Sequence, residues 1–182
     1  MQVVTSVFGY VAFAWLPLLL SEHSNQSVIA SGALLSLFAL MGLPSSLIVP
    51  LLANRYPASQ QWIVWFSLVA GLTGTLGLLF GDQGLTWFWV IALGFGPTMF
   101  PLSLTLFNLR SRERSTVLAV SAFGQGVSYT TASIAVFLVG VLREVTGGWD
   151  AALWLLFASC LIAVPVALQI RKGQMIDDEL AR

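Results

Sequence analysis

The side chains in this sequence that could do chemistry are mainly uncharged hydrogen-bonding groups at helical spacing. Ser121, Gln125, Ser128 and Tyr129 fall at positions i, i+4, i+7 and i+8, which places them on one face of a helix. A glutamine in apolar surroundings needs hydrogen-bond partners, so this face should point into protein or a wet cavity. Two roles stay open for it: contact with a small solute, or hydrogen bonding between helices.

A second polar stripe combines two prolines with hydrogen-bonding side chains. Pro97, Pro101, Thr105 and Asn108 share one face by the same spacing. Each proline removes a backbone donor and clashes one turn back, which frees carbonyls around residues 93–97. At membrane depth such groups are tolerated only where other helices or cavity water satisfy them. The stripe predicts a kinked helix beside a cavity, and a static kink for packing is the alternative.

The elements that carry these stripes follow from the distribution of charge. The chain is 57% hydrophobic and 9% charged, with a mean hydropathy of +0.87, whereas soluble domains carry about 25% charged residues. The uncharged runs are each near the ~20 residues that cross a bilayer core. We therefore predict an all-α, polytopic membrane protein with six transmembrane helices in a domain of residues 1–170, followed by a cytoplasmic tail, 171–182. The predicted helices are 3–20, 28–52, 62–80, 86–107, 116–142 and 151–170.

Composition and motifs argue against several classes of function. No Asp, Glu, Lys, Arg or His lies inside the predicted helices, so the chain lacks the residues for a proton relay or an intramembrane protease. No nucleophile elbow, HExxH motif or P-loop occurs, so we expect no enzyme activity and no cofactor. Cys160 is the sole cysteine and His23 the sole histidine, which gives no metal cluster. Zero net charge suggests no nucleic-acid partner.

Basic residues alternate between the predicted loops and indicate the orientation. Seven of the eight lie in the second loop, the fourth loop and the tail: Arg55, Arg110, Arg112, Arg114, Arg171, Lys172 and Arg182. Short loops rich in Lys and Arg stay on the cytoplasmic side. We therefore expect a multi-pass protein of the plasma (inner) membrane with both termini cytoplasmic. In this interpretation Arg55, Arg110, Arg112 and Arg114 are cytoplasmic anchors rather than site residues.

Four parts of the sequence are distinctive: "FGYVAFAWLPLLL", "GALLSLFALMGLPSSLIVPLLANR", "FPLSLTLFNLRSR" and "SAFGQGVSYTTAS" with "LVGVLREVTGGWD". They resemble the C-terminal six-helix half of a major facilitator superfamily transporter, in the branch that includes cyanate and 2-nitroimidazole transporters. The resemblance covers nearly the whole chain. One departure is the loop "LLANRYPASQQ", which keeps Asn54 and Arg55 but has no carboxylate.

The resemblance implies which helices would surround a central cavity. The first and fourth helices would line it, the second and fifth would flank it and form the seam with another half, and the third and sixth would face lipid. Carried over residue by residue, the cavity candidates are Tyr10, Trp15, Phe100, Ser103, Gln125 and Tyr129. Gln125 and Tyr129 would donate hydrogen bonds, and Trp15 and Phe100 would stack or gate. Pro97 and Pro101 would supply the kink.

Two hypotheses about function follow. In the first, the chain is half of a secondary carrier for a small polar or anionic solute, working by alternating access with an N-terminal six-helix half that these 182 residues do not contain. In the second, it is an isolated or truncated six-helix domain without transport activity of its own, or a half that pairs with a second copy. In both hypotheses the lipid bilayer surrounds the helices.

Overall fold

A computed structural model describes residues 1–170, and in this range the chain is all-helical. Six helical regions are long and apolar enough to span a membrane, which confirms the predicted fold class. The helices are α1 Gln2–His23, α2 Val28–Arg55, α3 Ser59–Phe80, α4 Thr86–Phe95, α5 Met99–Leu109, α6 Arg114–Thr146, α7 Asp150–Ile162 and α8 Val164–Gln169. The fourth span comprises α4 and α5, and the sixth comprises α7 and α8. The predicted tail, 171–182, lies outside the described residues.

The predicted boundaries are close for most spans but too short for the fifth. The sequence predicts 116–142 because Arg114 and Arg143 bracket the uncharged run, whereas α6 runs over Arg114–Thr146. It ends at Gly147, which adopts φ 70° and donates its N–H to the Arg143 carbonyl. Charged residues do not stop a helix that continues beyond the apolar core, so the stop is set by this left-handed glycine.

The fourth span is broken at the position that its prolines predict. α4 ends at Phe95, a 3-10 turn covers Gly96–Thr98, and α5 begins at Met99. Because Pro97 has no N–H, the Leu93 carbonyl instead accepts from the Gly96 N–H, in the tighter 3-10 pattern. The predicted kink is thus a short change of helix type. A second break, before Pro165 in the sixth span, was not predicted.

α1 is the central helix of the bundle, packed against α2, α6 and α7. Its buried Phe8 and Leu20 contribute to a core that includes Leu68 of α3, Leu93 of α4 and Leu153 of α7. At one end of α1, the Glu22 carboxylate accepts hydrogen bonds from Arg143 of α6, at 2.5 and 3.1 Å, and from the indole N–H of Trp149, at 2.8 Å. This cluster ties α1, α6 and the start of α7 together.

Burial differs sharply among the spans. Only 17% of the apolar window of α2 and 22% of that of α6 is buried within the chain, against 56% for α1 and 50% for α3. The two open helices are the ones that the resemblance assigns to a seam. By contrast, α3, expected to be a lipid-facing support, is half covered because it packs against α4 and α7.

Candidate functional site

A cavity of about 690 Å³ lies between α1, α2 and the fourth span, with one residue contributed by α6. Its walls carry hydroxyls, aromatic rings, prolines and small residues. They are Thr5, Ser6, Gly9, Tyr10 and Phe13 of α1; Phe38, Ala39, Gly42, Ser45, Ser46 and Pro50 of α2; Gly94, Pro97, Thr98, Phe100, Pro101, Leu104, Thr105 and Asn108 of the fourth span; and Tyr129 of α6. Within the described residues, no charged side chain lines this cavity.

The break in the fourth span shapes one wall of the cavity, and neighbouring helices hold it. The buried Ser67 hydroxyl of α3 donates to the Gly96 carbonyl. Thr98 donates to the Phe95 carbonyl at 2.6 Å, and its Oγ1 lies 3.1 Å from the Ser45 hydroxyl of α2. These bonds satisfy polar groups of the 3-10 turn, as a break at membrane depth requires. The turn is therefore a fixed part of the wall.

Aromatic pairs close two sides of the cavity. The rings of Tyr10 and Tyr129 lie 5.6 Å apart with an interplanar angle of 65°, and those of Phe13 and Phe38 lie 5.5 Å apart at 85°. Both are edge-to-face arrangements, which suit the ring quadrupoles. Tyr10 and Phe13 are each about half exposed, at 50% and 55%, so the cavity opens to the surface of the chain.

The structure places three of the six predicted cavity residues on the cavity wall. Tyr10, Phe100 and Tyr129 line it, together with both kink prolines. Gln125 does not line it, but its side-chain oxygen accepts the Tyr129 hydroxyl at 3.2 Å. Gln125 therefore contacts the cavity wall indirectly, through Tyr129, and its donation to a solute stays a prediction.

Two predicted cavity residues lie elsewhere. Ser103 is buried and donates to the Phe100 carbonyl of its own helix at 2.8 Å. Trp15 faces α6 and the start of α7: its indole N–H donates to the Val136 carbonyl at 2.9 Å, and its ring lies 5.9 Å from that of Trp149. Neither borders the large cavity. The rotation of each helix about its axis, set by packing, turns these side chains away.

The polar stripes differ in how well they locate the wall. Pro97, Pro101, Thr105 and Asn108 all line the cavity, as their shared face predicts. Of the α6 stripe only Tyr129 does so. The resemblance places the second helix beside the cavity, but sequence reasoning did not identify its wall residues, including Phe38 and Ser45, because α2 presents no dominant polar stripe. Ser6 was also missed, and its signal is its position four residues before Tyr10.

The four predicted anchor arginines lie away from the cavity lining. Arg55 ends α2 and its guanidinium lies 5.7 Å from the centre of the Tyr56 ring. Arg110 follows α5 and donates to the Ile170 carbonyl at 2.6 Å. Partial burial lowers the pKa of the Arg110 guanidinium, which still stays charged at neutral pH. Arg112 lies in the turn before α6, and Arg114 is the first residue of α6.

Together the fold and the cavity define a polytopic α-helical membrane protein with an uncharged site beside a broken helix. Two curated proteins are similar to it. The uncharacterized transporter YycB of Bacillus subtilis (strain 168) is 33% identical over 159 residues, which cover 86% of this chain and 39% of the relative. The cyanate transport protein CynX of Escherichia coli (strain K12) is 29% identical over 160 residues, covering 87% of this chain and 41% of the relative.

These similarities confirm the resemblance to the cyanate transporter-like branch of the major facilitator superfamily. The chain spans about two fifths of the length of both relatives. No protein-family model matches the chain, and no solved structure matches it significantly.

Proposed function

We propose that the chain is one six-helix half of a secondary carrier for a small polar or anionic solute. The observation that carries the proposal is the cavity: its polar groups lie beside a broken helix and open to the chain's surface next to two poorly buried helices. The names of the two relatives, both transporters, support the same class of function. Cyanate, named for one relative, is the first solute to test.

The open faces of α2 and α6 support pairing with a second six-helix unit. Leu47 and Leu51 of α2 and Phe123 and Phe137 of α6 are each at least 70% exposed. Lipid could cover these side chains, but the oxygen lone pairs of the hydroxyls on the adjacent cavity wall and the unpartnered Ser6 hydroxyl would be better satisfied by protein or water. A second unit placed over α2 and α6 would enclose the cavity, and rocking of the two units would expose it alternately to each side of the membrane.

The positions of the arginines support an orientation for the proposed carrier. α2 and α5 both end at the same side of an up-and-down bundle, and Arg55 and Arg110 lie directly at those ends. The positive-inside rule makes this side cytoplasmic, which puts both ends of the chain in the cytoplasm. The plasma membrane is the proposed location, and the arginines hold the cytoplasmic ends of the spans in place.

Cross-linking tests whether a second unit covers α2. Leu47 in α2 and Ile162 in α7 are both 70% exposed, so they form a matched pair. Cysteines introduced singly by Leu47→Cys and Ile162→Cys, after removal of the native thiol by Cys160→Ser, should differ. We expect Leu47→Cys to cross-link to another six-helix unit in membranes and Ile162→Cys to stay at background. Equal yields would contradict pairing through α2.

Solute uptake into proteoliposomes tests the transport activity. We expect labelled cyanate to enter vesicles that contain the paired assembly, and Phe100→Ala to reduce the uptake because Phe100 lines the cavity. Phe80→Ala removes a ring of the same size that lies outside the cavity lining, at the end of α3, and should transport normally. Equal uptake by both variants would argue against this cavity as the solute path.

The alternative is an isolated six-helix domain without transport activity, or a half that pairs with its own copy. Size measurement in detergent combined with the Leu47→Cys cross-link separates these cases. A cross-linked species of twice the chain's mass indicates self-pairing, and a larger or unequal partner indicates a distinct second half. A monomer that never cross-links and never takes up solute favours the isolated domain.

A further inference from the structure

The cavity-lining hydroxyl groups of α2 and of the fourth span already donate their protons to hydrogen bonds within the protein. Ser46 donates to the Leu43 carbonyl at 2.8 Å, Thr105 to the Pro101 carbonyl at 2.8 Å and Thr98 to the Phe95 carbonyl at 2.6 Å. Ser45 lies within 3.1 Å of both the Met41 carbonyl and the Thr98 hydroxyl. A hydroxyl has a single proton, so these groups present only oxygen lone pairs to the cavity.

Two cavity residues of α1 differ, because their hydroxyl groups donate no hydrogen bond within the described residues. Ser6 is 3% exposed, lines the cavity, and its Oγ has no hydrogen-bond partner within the described part of the chain. Tyr10 lines the cavity four residues later, on the same face, and its hydroxyl likewise makes no hydrogen bond to residues 1–170. The hydroxyl of the neighbouring Thr5, by contrast, already donates a hydrogen bond to the Gln2 carbonyl at 3.0 Å.

A buried hydroxyl without a partner is costly, since leaving such a group unsatisfied destabilises a protein. Ser6 would be more favourable as alanine if its only role were to fill space between α1 and its neighbours. Ser6 lies on the cavity wall with its Oγ buried, so an acceptor atom that reaches this oxygen from the cavity would remove the cost.

We infer that Ser6 and Tyr10 of α1 are the hydroxyl donors that bind the solute, and that they select solutes presenting hydrogen-bond acceptor atoms. The inference rests on the proposed transport function and adds its specificity. The acceptors can be the atoms of a small anion or the oxygens of a neutral nitro or carbonyl group. Any N–H or O–H group of the solute would instead face the lone pairs of Ser45, Ser46, Thr98 and Thr105.

Binding to the transporting assembly, with this chain at full length, tests the inference. Cyanate and 2-nitroimidazole serve as probes, because one is an anion and the other carries neutral nitro oxygens. We expect Ser6→Ala and Tyr10→Phe each to weaken binding of the accepted probe about five- to tenfold, the factor that corresponds to about one lost hydrogen bond. Ser36→Ala and Tyr56→Phe are the matched controls, since both residues are exposed and lie outside the cavity lining.

Thermal stability separates a binding role from a structural one. Ser6→Ala removes an unpaired hydroxyl, so the apparent melting temperature without solute should stay the same or rise while binding falls. Tyr10→Phe keeps the ring that packs against Tyr129 and should melt like the unaltered chain. A Ser6→Ala variant that melts lower, or that binds within twofold of the unaltered chain, overturns the donor assignment.

The binding measurements distinguish a wrong donor assignment from a wrong transport proposal. If the unaltered assembly binds a probe and both variants bind it equally well, the cavity remains a solute site and only the donor assignment is wrong. If the unaltered assembly binds and transports neither probe, the transport proposal and the inference are contradicted together.

Discussion

Glycines in α3 and in α2 have opposite surroundings. A Cβ added at Gly74 of α3 would lie 2.5 Å from the Leu93 backbone nitrogen, and one at Gly77 would lie 2.2 Å from the Trp89 ring. Cβ atoms added at Gly32 and Gly42 of α2 would meet nothing within 4 Å. Both helices carry glycines that suit close packing, but of these only the glycines of α3 are in close contact with another helix. At these positions α3 packs closely against its neighbours within the chain, whereas the α2 face is open.

The largest effect is expected for Gly74→Ala, where the added Cβ would meet backbone atoms. The added methyl would meet the backbone of Leu93, which cannot move aside as a flexible side chain could. We expect the variant to lose about 3 kcal/mol of stability, the upper end for overpacking. The free energy of unfolding, measured in detergent by titration with a denaturing surfactant, tests this prediction.

The matched control for Gly74→Ala is Gly126→Ala in α6, where a Cβ meets nothing within 4 Å. Its stability should stay within about 0.5 kcal/mol, or rise because alanine favours a helix over glycine. Equal losses at the two positions would mean that glycine contacts do not distinguish complete from open faces.

A second prediction concerns the hydrogen bond by which α3 holds the broken helix. Ser67→Ala removes the buried hydroxyl that donates to the Gly96 carbonyl in the 3-10 turn. We expect a loss of about 2 kcal/mol, because the carbonyl would be left buried with a donor removed. Unfolding in the same surfactant series provides the measurement.

Ser159→Ala in α7 is the control for Ser67→Ala. The Ser159 hydroxyl donates to the Leu156 carbonyl of its own helix at 2.7 Å and bridges no other helix, so its removal should change stability little. If Ser67→Ala also left the free energy of unfolding unchanged, the 3-10 turn would be held by the prolines alone and α3 would contribute packing only.

Features that depend on local properties of the chain could be predicted from the sequence, whereas features that depend on packing between helices could not. Uncharged runs locate the six spans because each must cross the same apolar thickness, and Pro97 and Pro101 locate the break because the missing N–H is a local property. The α2 wall was not predictable, since Phe38 and Ser45 belong to a helix with no dominant stripe. Which face of an apolar helix meets its neighbours depends on side-chain fit across helices.

Trp15 shows this dependence in one residue. The resemblance suggests a cavity residue, whereas the ring packs against Gly140 of α6, where an added Cβ would lie 2.9 Å from the indole. The absence of a side chain at Gly140 makes room for the ring, and the indole N–H reaches the Val136 carbonyl. α6 therefore has a complete face toward α1 at Gly140 and an open face at Gly126, so the contrast between α3 and α2 recurs within a single helix.

The smallest effect is expected for Trp15→Phe. The change removes the bond to Val136, whose carbonyl lies within α6, so the loss should be about 0.6 kcal/mol, the average for hydrogen bonds between membrane helices. Solute affinity should stay within twofold, because Trp15 does not border the large cavity. Parallel unfolding and binding measurements decide between the two roles. A variant that keeps its stability but loses solute binding would place Trp15 on the transport path, and would show that the α1–α6 interface opens during transport.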